Sequence, residues 1–267
     1  MFKTRLLSGI VLIALALCFI ITGNELLLVS TAGIALIGLF ELYRVVKIER
    51  TILGFAGYLA SLIFYCNLYF NFIPDMLLFT IAYLVVLMFL YVFSYPKYRP
   101  EQVFAAFLGV FYVSVMLSFI YQTRQLAQNG EYLVWLIFLC SWGCDTSAYC
   151  VGKLCGKHKM TPILSPKKTW EGAIGGVVGA VVITFLYAFA LKDAMQTDGT
   201  AMLMLVLIAA VGAVISMVGD LTASAIKRHY EIKDYGKLIP GHGGILDRFD
   251  SVIFTAPVIY YLAVYIL

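Results

Sequence analysis

The chain has 267 residues, of which 62% are hydrophobic and only 13% charged, with a mean hydropathy of +0.93. That balance excludes one or two soluble domains and predicts a polytopic membrane protein, so any active site has to be built from helix ends and short loops. A net charge of +4 with no room for a recognised module argues against a nucleic-acid binder, and six cysteines without a C-x-x-C pair indicate neither a zinc cluster nor a disulfide framework.

Apolar runs occupy Leu6–Ile21, Leu26–Leu42, Ile52–Phe70, Met76–Phe93, Val103–Tyr121, Tyr132–Val151, Gly172–Leu191, Met202–Gly219 and Val252–Leu267. The expected fold is therefore an all-α polytopic integral membrane protein of about nine transmembrane helices. Lys3 and Arg5 precede the first run, but it lacks a small-residue cleavage site and leads into another span, so it reads as a retained helix. Counting alternately across the membrane, 17 of the 19 Lys and Arg fall on one side, and only Arg124 and Lys192 fall on the other. The positive-inside rule makes the first side cytoplasmic, with the amino terminus inside and the carboxyl terminus outside. An error of one span would scramble this partition. The one-sided charge favours anionic headgroups and nucleotide phosphates on that face of a cell membrane. Residues 1–121 read as a helical scaffold giving lipid access, and 122–267 as the part carrying the chemistry.

In the first half, Glu41 and Arg44 are expected to pair near a helix end, and Tyr65, Tyr69, Phe70 and Phe72 suit an interface belt. The character changes at Trp142. Asp145 lies inside the sixth span near its end, where an ionisable group is costly unless it is functional or paired, for instance with a lysine of the next loop. That loop ends in Ser165-Pro166-Lys167-Lys168-Thr169-Trp170-Glu171-Gly172. Ser165 is a candidate N-cap and Pro166 suits the first helical position, which would gather free amides and two ammoniums where a phosphate is favoured. Ordinary anchoring by Lys167 and Lys168 is the plainer alternative. Glu171 is expected to orient one of those lysines. Gly172, Gly175, Gly176 and Gly179 recur at four-residue separations that permit close helix packing, and leave room for a homodimer. His158 and His229 read as loop residues without a role.

The stretch Gly219–Ser251 packs five basic and five acidic residues between two apolar segments. If the helix continues past Gly219, Asp220, Ser224 and Lys227 share a face; Asp247 and Asp250 share one if the next helix starts near Gly244. Pro240-Gly241 is a break, and Gly243-Gly244 lets backbone adopt unusual dihedrals or approach a ligand. His242 is expected to shape this turn or donate to phosphate. Hard oxygen ligands beside lysines suit a magnesium-assisted phosphate site, the alternative being a solvated loop.

Ser224-Ala-Ile-Lys227-Arg228, then Lys233-Asp234-Tyr-Gly236, then Leu238-Ile239-Pro240-Gly241-His242-Gly243-Gly244-Ile-Leu-Asp247-Arg248-Phe-Asp250 closely resembles the signature of the phosphatidate cytidylyltransferases. Asp145 with Ala148 and Tyr149 resembles a D-x-x-A-Y element of that family, and 165–172 resembles its S-P-K-K-T-x-E-G order. The resemblance implies a membrane enzyme joining CTP to phosphatidic acid, with release of diphosphate. On this reading Asp145, Asp220 and Asp247 are metal-site carboxylates, with Asp250 a weaker candidate. Lys227 and Arg228 join Ser165, Lys167, Lys168, Thr169, His242, Gly243 and Arg248 around the phosphates. Magnesium is the expected ion, and the resemblance also allows a second cation such as K+. A CTP-dependent lipid alcohol kinase would bind the same nucleotide but release CDP. A transporter would carry charges within its helices and duplicated halves.

Overall fold

The computed structural model describes residues 2–267 apart from His242, and backbone only for residues 2–8. Among the described residues, eight helices are long and apolar enough to cross a membrane: α2 (Asn24–Val45), α3 (Ile52–Phe70), α4 (Met76–Phe93), α5 (Pro100–Arg124), α6 (Gly130–Cys155), α7 (Trp170–Ala190), α8 (Gly199–His229) and α9 (Leu246–Ile266). Helix α1 (Phe2–Thr22) contributes the shorter apolar stretch Gly9–Thr22. A two-stranded antiparallel hairpin, β1 (Lys159–Thr161) and β2 (Ser165–Thr169), joins α6 to α7.

The boundaries follow local chemistry. The Thr51 side chain accepts from Gly54 N at the start of α3, and Asp75 accepts from Leu77 N at the start of α4. Each satisfies a first-turn amide that hydrocarbon would leave bare. Helix α8 runs ten residues beyond the apolar stretch Met202–Gly219, because ionisable side chains end a hydropathy run without interrupting backbone hydrogen bonding.

The chain forms two compact units. The first comprises 1–118 and 234–247, so a late segment belongs with the early helices. Its core includes Leu39, Tyr43, Leu53, Leu87 and Val113, all fully buried. The hydroxyls of Tyr43 and Tyr83 both donate to the Ala106 carbonyl, at 2.7 and 2.9 Å. Tyr65 donates to the Ser114 carbonyl, and the Ser61 and Ser114 hydroxyls meet at 2.7 Å. Carbonyls around the π-helical turn Val110–Val115 in α5 thus find side-chain donors, as polar groups away from water must.

The second unit comprises 119–233 and 248–267. Small residues set its spacing: a Cβ on Gly176 would stand 2.9 Å from Cys144 Sγ, and one on Gly175 would stand 2.5 Å from the Val151 side chain. The expected close packing is therefore present. It is made against the chain's own α6, which occupies the faces whose spacing left room for a homodimer. Gly212 and Gly219 do the same for α8: a Cβ on Gly219 would lie 2.7 Å from the Asp250 carbonyl oxygen. Replacing Gly175 with Val is expected to destabilise the protein by about 1–3 kcal/mol through overpacking. Thermal unfolding of the purified protein reads this directly, and Val151→Ala should restore part of the loss.

Candidate functional site

Three helices and the hairpin bring the polar residues of the second unit together. Asp145 lies in α6 just after the π-helical turn Leu139–Gly143, a widening of the helix that commonly marks functional sites. Its Oδ2 accepts from the Ser251 hydroxyl of α9 at 3.1 Å. Asp220 lies on α8, where Lys168 Nζ from β2 meets its Oδ2 at 2.6 Å. Ser224 Oγ is 3.5 Å from Asp220 Oδ1, as the four-residue spacing predicts. Asp250 on α9 accepts from Ser251 N at 2.9 Å, and Lys227 Nζ stands 4.0 Å from its Oδ2. The carboxylates of Asp145, Asp220 and Asp250 act electrostatically on one another, offset by Lys168, Lys227 and Arg248. Like charges that act on one another favour a counter-cation, which the lysines supply in part.

Lys168 is the sharpest feature. Its Nζ is sealed from solvent and, apart from the ion pair, no hydrogen-bond acceptor among the described residues is aligned with it. An ammonium offers three donors, so this one is set to receive further anionic oxygen. Arg228 Nε donates to the Leu164 carbonyl in the hairpin turn, and Trp142 Nε1 donates to the Arg248 carbonyl. The exposed Lys167 sits next to Lys168 on β2.

The signature loop is built differently, within the first unit. Ile239 N donates to the Gly243 carbonyl at 2.9 Å, closing a tight turn in which Gly241 and Gly243 have φ of 79° and 89°. Only glycine takes such angles without strain. Asp247 is buried, and its Oδ2 accepts from Tyr235 N at 2.8 Å and Gly244 N at 2.9 Å. Asp247 therefore closes the loop with one oxygen. His242 lies outside the described residues.

Several expectations are corrected. Ser165 and Pro166 do not start a helix: Ser165–Thr169 is a strand, with Thr161 paired to Ser165 and Lys159 to Thr169. Proline disfavours helical dihedrals in the residue before it, and the partner strand satisfies the backbone instead. The cap is Thr169, whose side chain accepts from Gly172 N at 3.1 Å. Glu171 orients neither lysine; it accepts from Lys157 N and His158 N and meets His158 Nδ1 at 2.6 Å. His158 thus has a partner, and His229 is the last residue of α8 rather than a loop residue. Glu41 and Arg44 do not pair with each other in the expected way. Glu41 accepts from Leu246 N at 2.9 Å, and Arg44 donates to the Tyr235 carbonyl. The cost of an ionisable group within a span, the signal that singled out Asp145, applied equally to Glu41. Ser251 carried no sequence signal beyond its place one residue after Asp250.

The donor chemistry of the second unit fits magnesium. Among the described residues no three His, Cys, Asp or Glu side chains form a cage for one ion. Magnesium does not need one, because it keeps waters and takes one or two carboxylates together with substrate phosphates.

Membrane-spanning helices whose ends gather carboxylates around a sealed ammonium define a polytopic protein suited to phosphate-bearing substrates. The chain belongs to the cytidylyltransferase family, whose model matches residues 3–266. It is similar to the phosphatidate cytidylyltransferase of Bacillus subtilis (strain 168), 32% identical over 266 residues covering 97% of each chain. It is also similar to that of Staphylococcus haemolyticus (strain JCSC1435), 31% identical over 98% of this chain and 99% of the relative. The same holds for that of Staphylococcus aureus (strain COL), 32% identical over 98% and 99%.

Proposed function

We propose that the protein transfers the cytidylyl group of CTP to phosphatidic acid, giving CDP-diacylglycerol and diphosphate, at the cytoplasmic face of a cell membrane. The observation that carries the reading is the Lys168 ammonium, shielded beside Asp220 with donors left over for an anion. Family membership and the one-sided distribution of Lys and Arg support it.

An oxygen of the lipid phosphate attacks the α phosphorus of CTP, forming a new P–O bond as the bond to the β phosphate oxygen breaks and diphosphate leaves with the electron pair. The second pKa of a phosphate monoester is about 6, so the nucleophile is already anionic at neutral pH and needs no strong base. The barrier is repulsion between two anions. Catalysis accordingly rests on neutralisation and alignment. Lys168, Lys227, Arg228 and Arg248 bear on phosphate oxygens, with Lys167, Ser165 and Thr169 along the same strand. Asp145 and Asp220 would hold magnesium, with Asp250 facing them. When bound, the ion supplies Lewis-acid neutralisation of phosphate oxygens. A second cation such as K+ would be drawn to the same acidic surroundings. Asp247 closes the signature loop through Tyr235 N and Gly244 N.

The test is purified protein in mixed micelles with CTP, magnesium and phosphatidate. Diphosphate and a CDP-lipid are expected in equal amounts, each dependent on lipid and on divalent ion. Release of CDP with phosphorylation of a lipid alcohol would overturn the reading in favour of a kinase.

A further inference from the structure

Glu41 is 3% exposed, on an apolar helix, and far in sequence from the signature loop. Its carboxylate nonetheless accepts from the backbone of Leu246, the first residue of α9, and of Ile245 just before it. One turn further along α2, Arg44 reaches the Tyr235 carbonyl. A Cβ on Gly236 or on Gly244 would overlap the Glu41 carboxylate. Gly244 is thus pinned between two acids, its N–H held by Asp247 Oδ2 and its Cα lying against Glu41. The glycines at 236 and 244 make room for this side chain, rather than for a ligand.

We infer that Glu41 is a positioning residue for the cytidylyl transfer: its buried carboxylate fixes the loop of residues 234–247, and through it Gly243 and Asp247. The inference rests on the transferase reading above. An apolar side chain would fill the same space without the cost of burying a charge, but it could not hold the two amides. Misplacing a group that takes part in a reaction by about 1 Å can cost up to a hundredfold in rate.

Two variants test this. Glu41→Gln keeps the shape and removes the charge; kcat is expected to fall roughly tenfold while KM for CTP stays within about twofold, with an unchanged midpoint of thermal unfolding. A merely structural carboxylate would lower that midpoint and leave kcat of the folded protein intact. In the second arm, Gly244→Ala forces a Cβ onto the carboxylate and loses activity, whereas Gly244→Ala combined with Glu41→Asp, which keeps the charge but retracts the oxygens, regains part of it. A wild-type kcat in Glu41→Gln, or a double variant less active than Gly244→Ala alone, overturns the inference. Wild-type protein that releases no diphosphate overturns the transferase reading with it.

Discussion

Asp220→Asn is expected to lower CTP- and phosphatidate-dependent diphosphate release by roughly a thousandfold, the scale of removing a preorganised charge from a reacting centre. The substitution conserves shape, so α8 and its contacts across Gly219 should persist. It removes the charge opposite Lys168 Nζ and one of the carboxylates assigned to magnesium. The two roles separate in a metal titration. Loss of a metal ligand raises the magnesium concentration needed for half-maximal rate, whereas loss of the ion pair alone leaves it unchanged. Retention of full turnover by Asp220→Asn would remove this residue from the site.

Lys168→Met comes next, with an expected loss of roughly a hundredfold in kcat/KM, in the range for electrostatic groups that act on charge developing in the transition state. Methionine fills the stem's volume and leaves Asp220 without its ammonium. Lys168→Arg is not expected to rescue, since a planar guanidinium cannot replace a compact point charge in a sealed space. Because the pair acts as a unit, the double variant Lys168→Met/Asp220→Asn should lose much less than the product of the single losses. Multiplicative losses would mean that the two side chains act independently.

Much of this was legible in the sequence, for identifiable reasons. Spans 52–70 and 76–93 coincide with α3 and α4 because a capping Thr or Asp stands immediately before each apolar run. The shared face of Asp220, Ser224 and Lys227 follows from helical spacing alone. What escaped depends on chain segments remote in sequence. Ser165–Thr169 reads locally as a helix start, but its backbone is claimed by β1. Glu41 has Arg44 one turn away, and local reading pairs them; the amide of Leu246 that holds Glu41 lies 205 positions later. The glycines of the signature were visible as permissive backbone, but not that two of them accommodate a carboxylate.

That remote attachment has a consequence for how the protein is made. The ribosome delivers α2 into the bilayer long before it reaches Leu246, so for most of synthesis Glu41 waits without the amides it will bind. A chain stopped short of α9 would leave the Glu41 carboxylate without that amide, and a buried acid without a partner is costly. Only the synthesis of Leu246 relieves it, so an early helix reaches its settled state together with a segment made some two hundred residues later.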